Sequence, residues 1–519
     1  MKFWRITRKI ISTIVLFLLL FILLLIIKSA DWFLDNFGGV AFSTVVYQLF
    51  SPMKGTASDI LNNYINSCLY PSIEYALLLI VFYTVYDMII KKLILEFHVR
   101  ICRREFLLRT GNRFRLISKS LILGLVTLIL CILVWRRTVL VGIPEYVEAF
   151  ARSSNLYEEE YIDPNEVSIE FPAPPQRRNL LLIYMESMES TYASVEAGGA
   201  KDVNYIPGLT ALAKENVHFS NDEDLGGTIA YPGTGWTMAG ILASCSGVNY
   251  KLPIEGNSAG DYENFLPGLT TLGDILHDSG YRNYFMCGSE AVFGGRADFY
   301  TQHGDYTILD YNTAKRDGII SEDYYEFWGM EDKYLYEYAR QELTEIASDE
   351  EPFNFTMLTV DTHHPDGYIC SLCDNAYPEQ YANAIACADR QVCEFITWVK
   401  EQSWYENTTI VITGDHYSMN ADFRDDIGDY ERTIYNCFIN LPEGLSANQT
   451  TNRESSIMDM FPTILVAVGA NIEGDRLGLG TNLFSSEQTL PEKLGKDVFY
   501  EELRLHSNYY DLNFVFASG

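Results

Sequence analysis

Asn179-Leu180-Leu181-Leu182-Ile183-Tyr184-Met185 is an uncharged run of seven residues, followed at once by Glu186. A run this short and this continuously apolar is the pattern of a strand covered on both faces; a half-exposed strand would alternate. Similar runs recur at residues 281–286, 353–360, 408–413 and 436–441. Helical patterns lie between and after them, including residues 379–402 and 456–468. Strands alternating with helices predict an α/β domain whose mostly parallel sheet is flanked by helices. In such sheets the chemistry gathers beyond the carboxyl ends of the strands, so the residues that close each run are the informative ones.

The chain changes character upstream of residue 179. Its formal charge of −31 hides a split: residues 1–137 hold 17 Lys/Arg against 7 Asp/Glu, and the remainder holds 21 against 62. So acidic a body argues against a nucleic-acid partner, because phosphate backbones would repel it. Residues 10–27 form an uncharged Leu/Ile-rich run behind Lys2, Arg5, Arg8 and Lys9, long enough to cross a bilayer. Lys28-Ser29-Ala30-Asp31-Trp32 makes a poor cleavage site, so this run reads as an anchor rather than a signal peptide. Further spans are expected near 75–90 and 120–135, joined by a loop rich in Lys and Arg. Basic short loops stay in the cytoplasm, which places the body of the chain outside a bacterial inner membrane. Arg136 and Arg137, just past the third span, are read as snorkelling to headgroups. Residues 37–50 are apolar but short and read as interfacial or re-entrant. The expected organisation is a transmembrane region over 1–137, a polar, Pro-rich connector over 138–178, a catalytic domain over 179–485 and a C-terminal extension over 486–519.

Eight of the ten cysteines would then lie outside, where disulfides survive. Cys370, Cys373, Cys387 and Cys393 have spacings that favour disulfides over a zinc knuckle, with connectivity left open. Cys245 and Cys287 are read as a pair or as two buried thiols.

Several run ends carry candidate chemistry. Glu186, straight after a buried strand, suits a hard-metal ligand; a helix first-turn acid is the ordinary alternative. The run at 408–413 opens into Gly414-Asp415-His416, and carboxylate with imidazole fits Mn2+ or Zn2+ better than Mg2+. Val360-Asp361-Thr362-His363-His364-Pro365 puts two histidines at a third strand end, where a loop imidazole can bind phosphate or protonate a leaving alkoxide. The Gly-rich segment from Gly226 to Thr237 precedes a helix opening at Met238. A hydroxyl there is usually an N-cap, but a helix N-terminus also favours an anion, and a metal can turn such a hydroxyl into a nucleophile. Arg296, in a loop loosened by Gly294 and Gly295, offers a planar fork for phosphate oxygens.

Taken together and in this order, these residues resemble the lipoteichoic acid synthase and phosphoglycerol transferase family of the sulfatase and alkaline-phosphatase superfamily. The resemblance covers residues 161–482 and rests on residues 179–186, 233–244, 288–296, 359–365, 410–416 and 456–463. Gly235-Trp236-Thr237-Met238-Ala239-Gly240 and His363-His364-Pro365-Asp366-Gly367 look most like the members that decorate osmoregulated periplasmic glucans. The resemblance implies Glu186, Asp415 and His416 as ligands of one divalent ion, Mn2+ before Mg2+ or Zn2+. It implies Thr234 as both nucleophile and ligand, preferred over Thr237. Arg296 would bind the headgroup and His363, rather than His364, the substrate phosphate. The family's tryptophan two residues before that arginine is Gly294 here. The implied reaction moves phosphoglycerol from phosphatidylglycerol, through a covalent threonine intermediate, to a glycan or polymer hydroxyl outside the membrane. A phosphoethanolamine transferase, or a catalytically dead glycan- or lipid-binding sensor, is the alternative.

Overall fold

The structure is a computed structural model that describes residues 2–37, 42, 46, 58–92, 96–101, 104–109, 112–174, 176–251, 264–349, 351–420 and 422–517. The chain divides into two compact units, residues 1–38 with 57–144, and residues 39–56 with 145–519.

Among its described residues the first unit contains three helices long and apolar enough to cross a membrane: α1 (Lys2–Phe37), α2 (Tyr70–Lys92) and α3 (Asn112–Leu140). Leu20, Ala76 and Leu130 pack among them, while most other large side chains, such as Leu78, Phe82 and Leu121, stay exposed. Helices apolar all round suit a lipid surrounding better than water. The spans expected near 10–27, 75–90 and 120–135 fall within these helices. Arg137 is not simply reaching for solvent: its Nε lies 2.5 Å from Asp31 Oδ1. The basic stretch between α2 and α3 contains an antiparallel hairpin, Glu96–Ile101 with Arg104–Arg109. Residues 37–50, expected to be interfacial, lie almost wholly outside the described residues.

The second unit is built on a six-stranded sheet. Its strands are β1 (Asn179–Met185), β2 (Arg282–Cys287), β3 (Thr307–Leu309), β4 (Phe353–Leu358), β5 (Thr408–Gly414) and β6 (Asn436–Ile439). Their order is β3-β2-β4-β1-β5-β6; all neighbours run parallel except β5 and β6. The uninterrupted apolar reading of β1 follows from its central place. Leu180, Leu182 and Tyr184 enter one core, and Leu181, Ile183 and Met185 enter the other. Helices α4 (Thr237–Ser246) and α8 (Met460–Ala467) contribute Leu242 and Ile464 to the first core. Helices α6 (Asp332–Ile346) and α7 (Gln380–Lys400) contribute Leu335 and Ile385 to the second. A shorter helix, α5 (Arg296–Gln302), lies between β2 and β3.

Two boundary expectations need correction. The stretch read as an unpacked connector buries Leu156 and Tyr157 in the first core, and Ile169–Glu170 pairs with Asn471–Ile472. The segment read as an extension buries Leu490, Phe499, Tyr510 and Phe514 in that same core. Both segments are therefore integral to the second unit. The disulfides expected around Cys370 are also corrected: the nine described cysteines are all free thiols, and Cys245 and Cys287 are the two buried thiols of the second reading.

Candidate active site

Sheet register creates the site. Met185 pairs with Gly414 across β1 and β5, so the next residue of each strand, Glu186 and Asp415, emerges at the same edge. His416 follows Asp415. Ligand atoms of these three buried residues lie within 4.8 Å of one another. His416 Nε2 is 3.2 Å from Glu186 Oε1 and 3.5 Å from Asp415 Oδ2.

The surrounding backbone fixes each candidate ligand. The Glu186 amide donates to the Thr359 hydroxyl at 3.0 Å. Ser187 turns the chain with φ 53°, and its hydroxyl donates to Glu186 Oε1 at 2.7 Å. The Ser187 and His416 amides both donate to Asp415 Oδ1, at 2.8 and 2.9 Å. His416 Nδ1 stands 2.7 Å from the Tyr417 carbonyl. A carbonyl only accepts, so Nδ1 carries a proton and Nε2 is the atom offered to the cluster.

Helix α4 supplies the hydroxyl. Thr237 Oγ1 lies 3.3 Å from Glu186 Oε2 and 3.4 Å from His416 Nε2, and the residue is half-buried. Gly240 permits this approach: a Cβ there would lie 1.8 Å from the Asp415 carbonyl oxygen. Thr237 is on the same helical face one turn earlier, so the close packing at Gly240 carries Thr237 over the cluster. Gly240→Ala should push α4 away and lower activity by roughly 100-fold, the scale of an ångström-sized misplacement. Assay of the variant beside its thermal melt checks this, and full activity in a folded variant would contradict it.

Thr234 is not at the cluster. Its fully buried hydroxyl donates to the Tyr231 carbonyl at 2.8 Å and accepts from the Tyr231 amide at 3.0 Å. The expectation placed it at the helix start, but α4 begins at Thr237, and Gly233 with φ 80° turns the chain before that point. Thr237, the less favoured of the two, is the hydroxyl beside the ligands.

The remaining expected residues line a neighbouring wall. Arg296 is only 6% exposed; its Nη2 donates to the Ser289 hydroxyl at 2.9 Å and the Glu290 carbonyl at 3.0 Å. Its Nε has no hydrogen-bond partner among the described residues. A buried guanidinium with an unused donor suits an incoming anion. His363 Nδ1 lies 2.7 Å from the His364 carbonyl, and its ring rests against Trp328, centroids 4.6 Å apart. Burial, with His416 and Arg296 adding to it, pushes the His363 pKa down against the pull of Glu186. His364 is pushed down to about 3 by burial and by His363 and Arg424.

Two further features carry no signal of their own in the sequence. Trp328 reaches His363 from a loop far away in the chain. Asp332 opens α6 and accepts from the Val360 and Asp361 amides at 2.7 and 3.1 Å, while Asp361 Oδ1 accepts from the Asp332 amide at 3.1 Å. This reciprocal pair supports the loop that bears His363. Burial and mutual repulsion push the Asp361 carboxyl well up, and burial pushes Asp332 up to about 7.

The electrostatics of the ligand cluster fit a divalent cation. Burial disfavours a charged Glu186, but His363 and His416 hold it down to about 2. Burial and the Glu186 charge raise Asp415 to about 7. Burial disfavours an imidazolium, yet Asp415 and Glu186 outweigh it and raise His416 to about 9. Asp415 Oδ2 is buried with no hydrogen-bond partner among the described residues. Two carboxylates, an imidazole presenting Nε2 and a hydroxyl form a hard-to-borderline donor set. A cation must displace the protons that His416 and Asp415 otherwise keep. Its affinity should therefore rise with pH, by about tenfold per unit between pH 7 and 9 and by up to about 100-fold per unit below 7. Metal titrations across that range check this; an affinity independent of pH would contradict it.

A model of the sulfatase family matches residues 178–470. Phosphoglycerol transferase I of Escherichia coli (strain 55989 / EAEC) is 32% identical over 321 residues, 60% of this chain and 40% of that protein. The chain thus spans well under half the length of that relative. Among solved structures, lipoteichoic acid synthase LtaP from Listeria monocytogenes aligns with a TM-score of 0.46 at 19% identity, covering 61% of this chain and 79% of its own. Lipooligosaccharide phosphoethanolamine transferase A from Neisseria meningitidis aligns with a TM-score of 0.49 at 13% identity, covering 88% and 84%.

Proposed function

The chain belongs to the sulfatase family, and from that premise we propose that it transfers phosphoglycerol from phosphatidylglycerol to a hydroxyl of an extracytoplasmic glycan or polymer. The observation that carries this reading is the Thr237 hydroxyl held between Glu186 and His416. The relative named phosphoglycerol transferase I supports the group that is moved. Glu186, Asp415, His416 and Thr237 would hold one divalent cation, Mn2+ before Mg2+ or Zn2+. Such an ion supplies Lewis-acid charge that eases loss of the hydroxyl proton and offsets charge on phosphoryl oxygens.

The chain's own groups do the rest. Thr237 Oγ1 gives up its proton to solvent and attacks phosphorus; Glu186, held down to about 2, stays a carboxylate beside it at 3.3 Å. The new oxygen–phosphorus bond forms as the bond to diacylglycerol breaks; diacylglycerol takes up a proton from solvent and leaves as the neutral alcohol, and a glycerophospho-threonine remains. Arg296 binds the phosphoryl oxygens, joined by His363 when its Nε2 carries a proton, and the N-terminus of α4 adds its dipole. An acceptor hydroxyl then displaces the group and restores Thr237. In this reading the three apolar helices are membrane spans, the basic stretch between α2 and α3 is cytoplasmic, and the second unit works on the outer face of the inner membrane. Tethering there keeps the enzyme beside a donor that never leaves the bilayer.

The test uses the full-length protein with vesicles of phosphatidylglycerol or phosphatidylethanolamine and Mn2+, followed by peptide mass spectrometry. A glycerophosphate adduct on Thr237, from phosphatidylglycerol alone, is expected. A phosphoethanolamine adduct would give the enzyme a different donor, a result to which Gly294, in place of the family's tryptophan, directs attention. No adduct from either lipid would favour a non-catalytic binding role.

A further inference from the structure

A second group of metal-ligating side chains stands apart from the Glu186 cluster. Cys370 and Cys373 sit in the loop that follows β4 and His363, and Cys387 lies on α7. Cys370 Sγ is 3.6 Å from Cys373 Sγ and 3.9 Å from Cys387 Sγ, and the three sulfurs lie within 4.8 Å of one another. A disulfide needs sulfurs about 2.05 Å apart and would leave one of the three thiols over. Three thiolates around a tetrahedral cation, with metal–sulfur bonds of about 2.3 Å, stand about 3.8 Å apart. The separations from Cys370 bracket that spacing.

The neighbours also suit charged sulfur. The Leu372 amide points at Cys370 Sγ from 3.4 Å, inside a turn closed by the Cys373 amide on the Cys370 carbonyl at 3.1 Å. From α7, Gln391 Nε2 lies 3.5 Å from Cys387 Sγ and 4.0 Å from Cys370 Sγ, and Arg390 Nη2 lies 3.7 Å from Cys387 Sγ. Donors aimed at sulfur from three residues, one of them cationic, stabilise thiolate over thiol. Cys370 and Cys387 are buried, whereas Cys373 is half-buried and leaves an approach from solvent. Cys393 is not a member: its sulfur faces Gly208.

We propose that Cys370, Cys373 and Cys387 form a thiolate site for a thiophilic divalent cation of the zinc class, distinct from the cation of the Glu186 cluster. Its role is structural. It fastens the loop bearing His363 to α7, and so anchors one wall of the active site from behind. The site stands on sulfur geometry alone, whether or not the transfer reaction proposed above is correct.

The experiment uses the full-length protein carrying Glu186→Gln and Asp415→Asn, which disables the other cluster, purified without chelator and exchanged into Co2+. One equivalent of cobalt with a thiolate-to-metal charge-transfer band is expected. Cys370→Ser and Cys387→Ser should lose the band, and Cys393→Ser should keep it. Because the serine variants can fail to fold, alkylation of the parent protein provides a second reading. Three cysteines should be protected until a chelator exposes them. A Cys370–Cys373 or Cys370–Cys387 disulfide in unreduced peptides, or immediate alkylation of all three thiols with no cobalt band, would overturn the site.

Discussion

Thr237→Ala should abolish the transfer reaction, by roughly 1,000-fold or more, and remove the covalent adduct altogether. The substitution deletes the one hydroxyl among the described residues that lies within 3.4 Å of both Glu186 and His416 and leaves Trp236 and Gly240 to hold the helix start. Thr234→Ala should act in a different way. It removes two hydrogen bonds to the Tyr231 backbone inside a buried turn, a loss of about 1–2 kcal/mol in stability, while the adduct still forms on residue 237. Assaying both variants with phosphatidylglycerol, alongside their thermal melts, separates nucleophile from scaffold. Activity surviving in Thr237→Ala and lost in a folded Thr234→Ala would reverse the assignment.

Asp415→Asn should be nearly as damaging, through the cation rather than through the nucleophile. The amide oxygen can still accept from the Ser187 and His416 amides, so the turn at the strand end is retained. What disappears is a negative charge at a buried position, together with the first of the influences that hold His416 protonated. Metal affinity should fall by more than the roughly 10–100-fold typical of outer-shell changes, and transfer activity should fall with it. Isothermal titration with Mn2+ on parent and variant reads the first quantity, and turnover at saturating Mn2+ reads the second. Unchanged affinity would remove Asp415 from the ligand set.

The parts of this architecture that were legible are those written as local runs. β1 shows its buried place through six consecutive apolar residues, and the candidate ligands Glu186 and Asp415 are visible because each stands just past such a run. Parallel register then brings Glu186 beside Asp415 and His416 from far along the chain. Thr237 was harder to choose because two threonines occupy one Gly-rich turn, and the packing of Gly240 on the Asp415 carbonyl decides between them. That contact joins residues 175 positions apart and leaves no local trace. β3 escaped notice because three residues carry no periodicity. The segment around Leu156 and Tyr157 was misread because its two buried residues are followed by Glu158, Glu159 and Glu160, which make the whole stretch look solvated. Trp328 and Asp332 reach the site from loops and helix ends, where composition says nothing about direction.

Tyr157 has a consequence for anyone who wants the second unit free of the three long apolar helices. Its hydroxyl donates to Asn249 at 2.6 Å, and its ring meets Tyr510 and Phe514 edge-on at 5.6 and 5.8 Å. A soluble fragment trimmed to the sheet at Asn179 would open a hole the size of a tyrosine, strip Asn249 of that donor and unseat the last helices of the chain. Losses of about 3–5 kcal/mol accompany emptied aromatic sites, enough to unfold an otherwise sound domain. A cut ahead of residue 145 keeps Tyr157 with these partners, although residues 39–56 of the same unit go with the removed part.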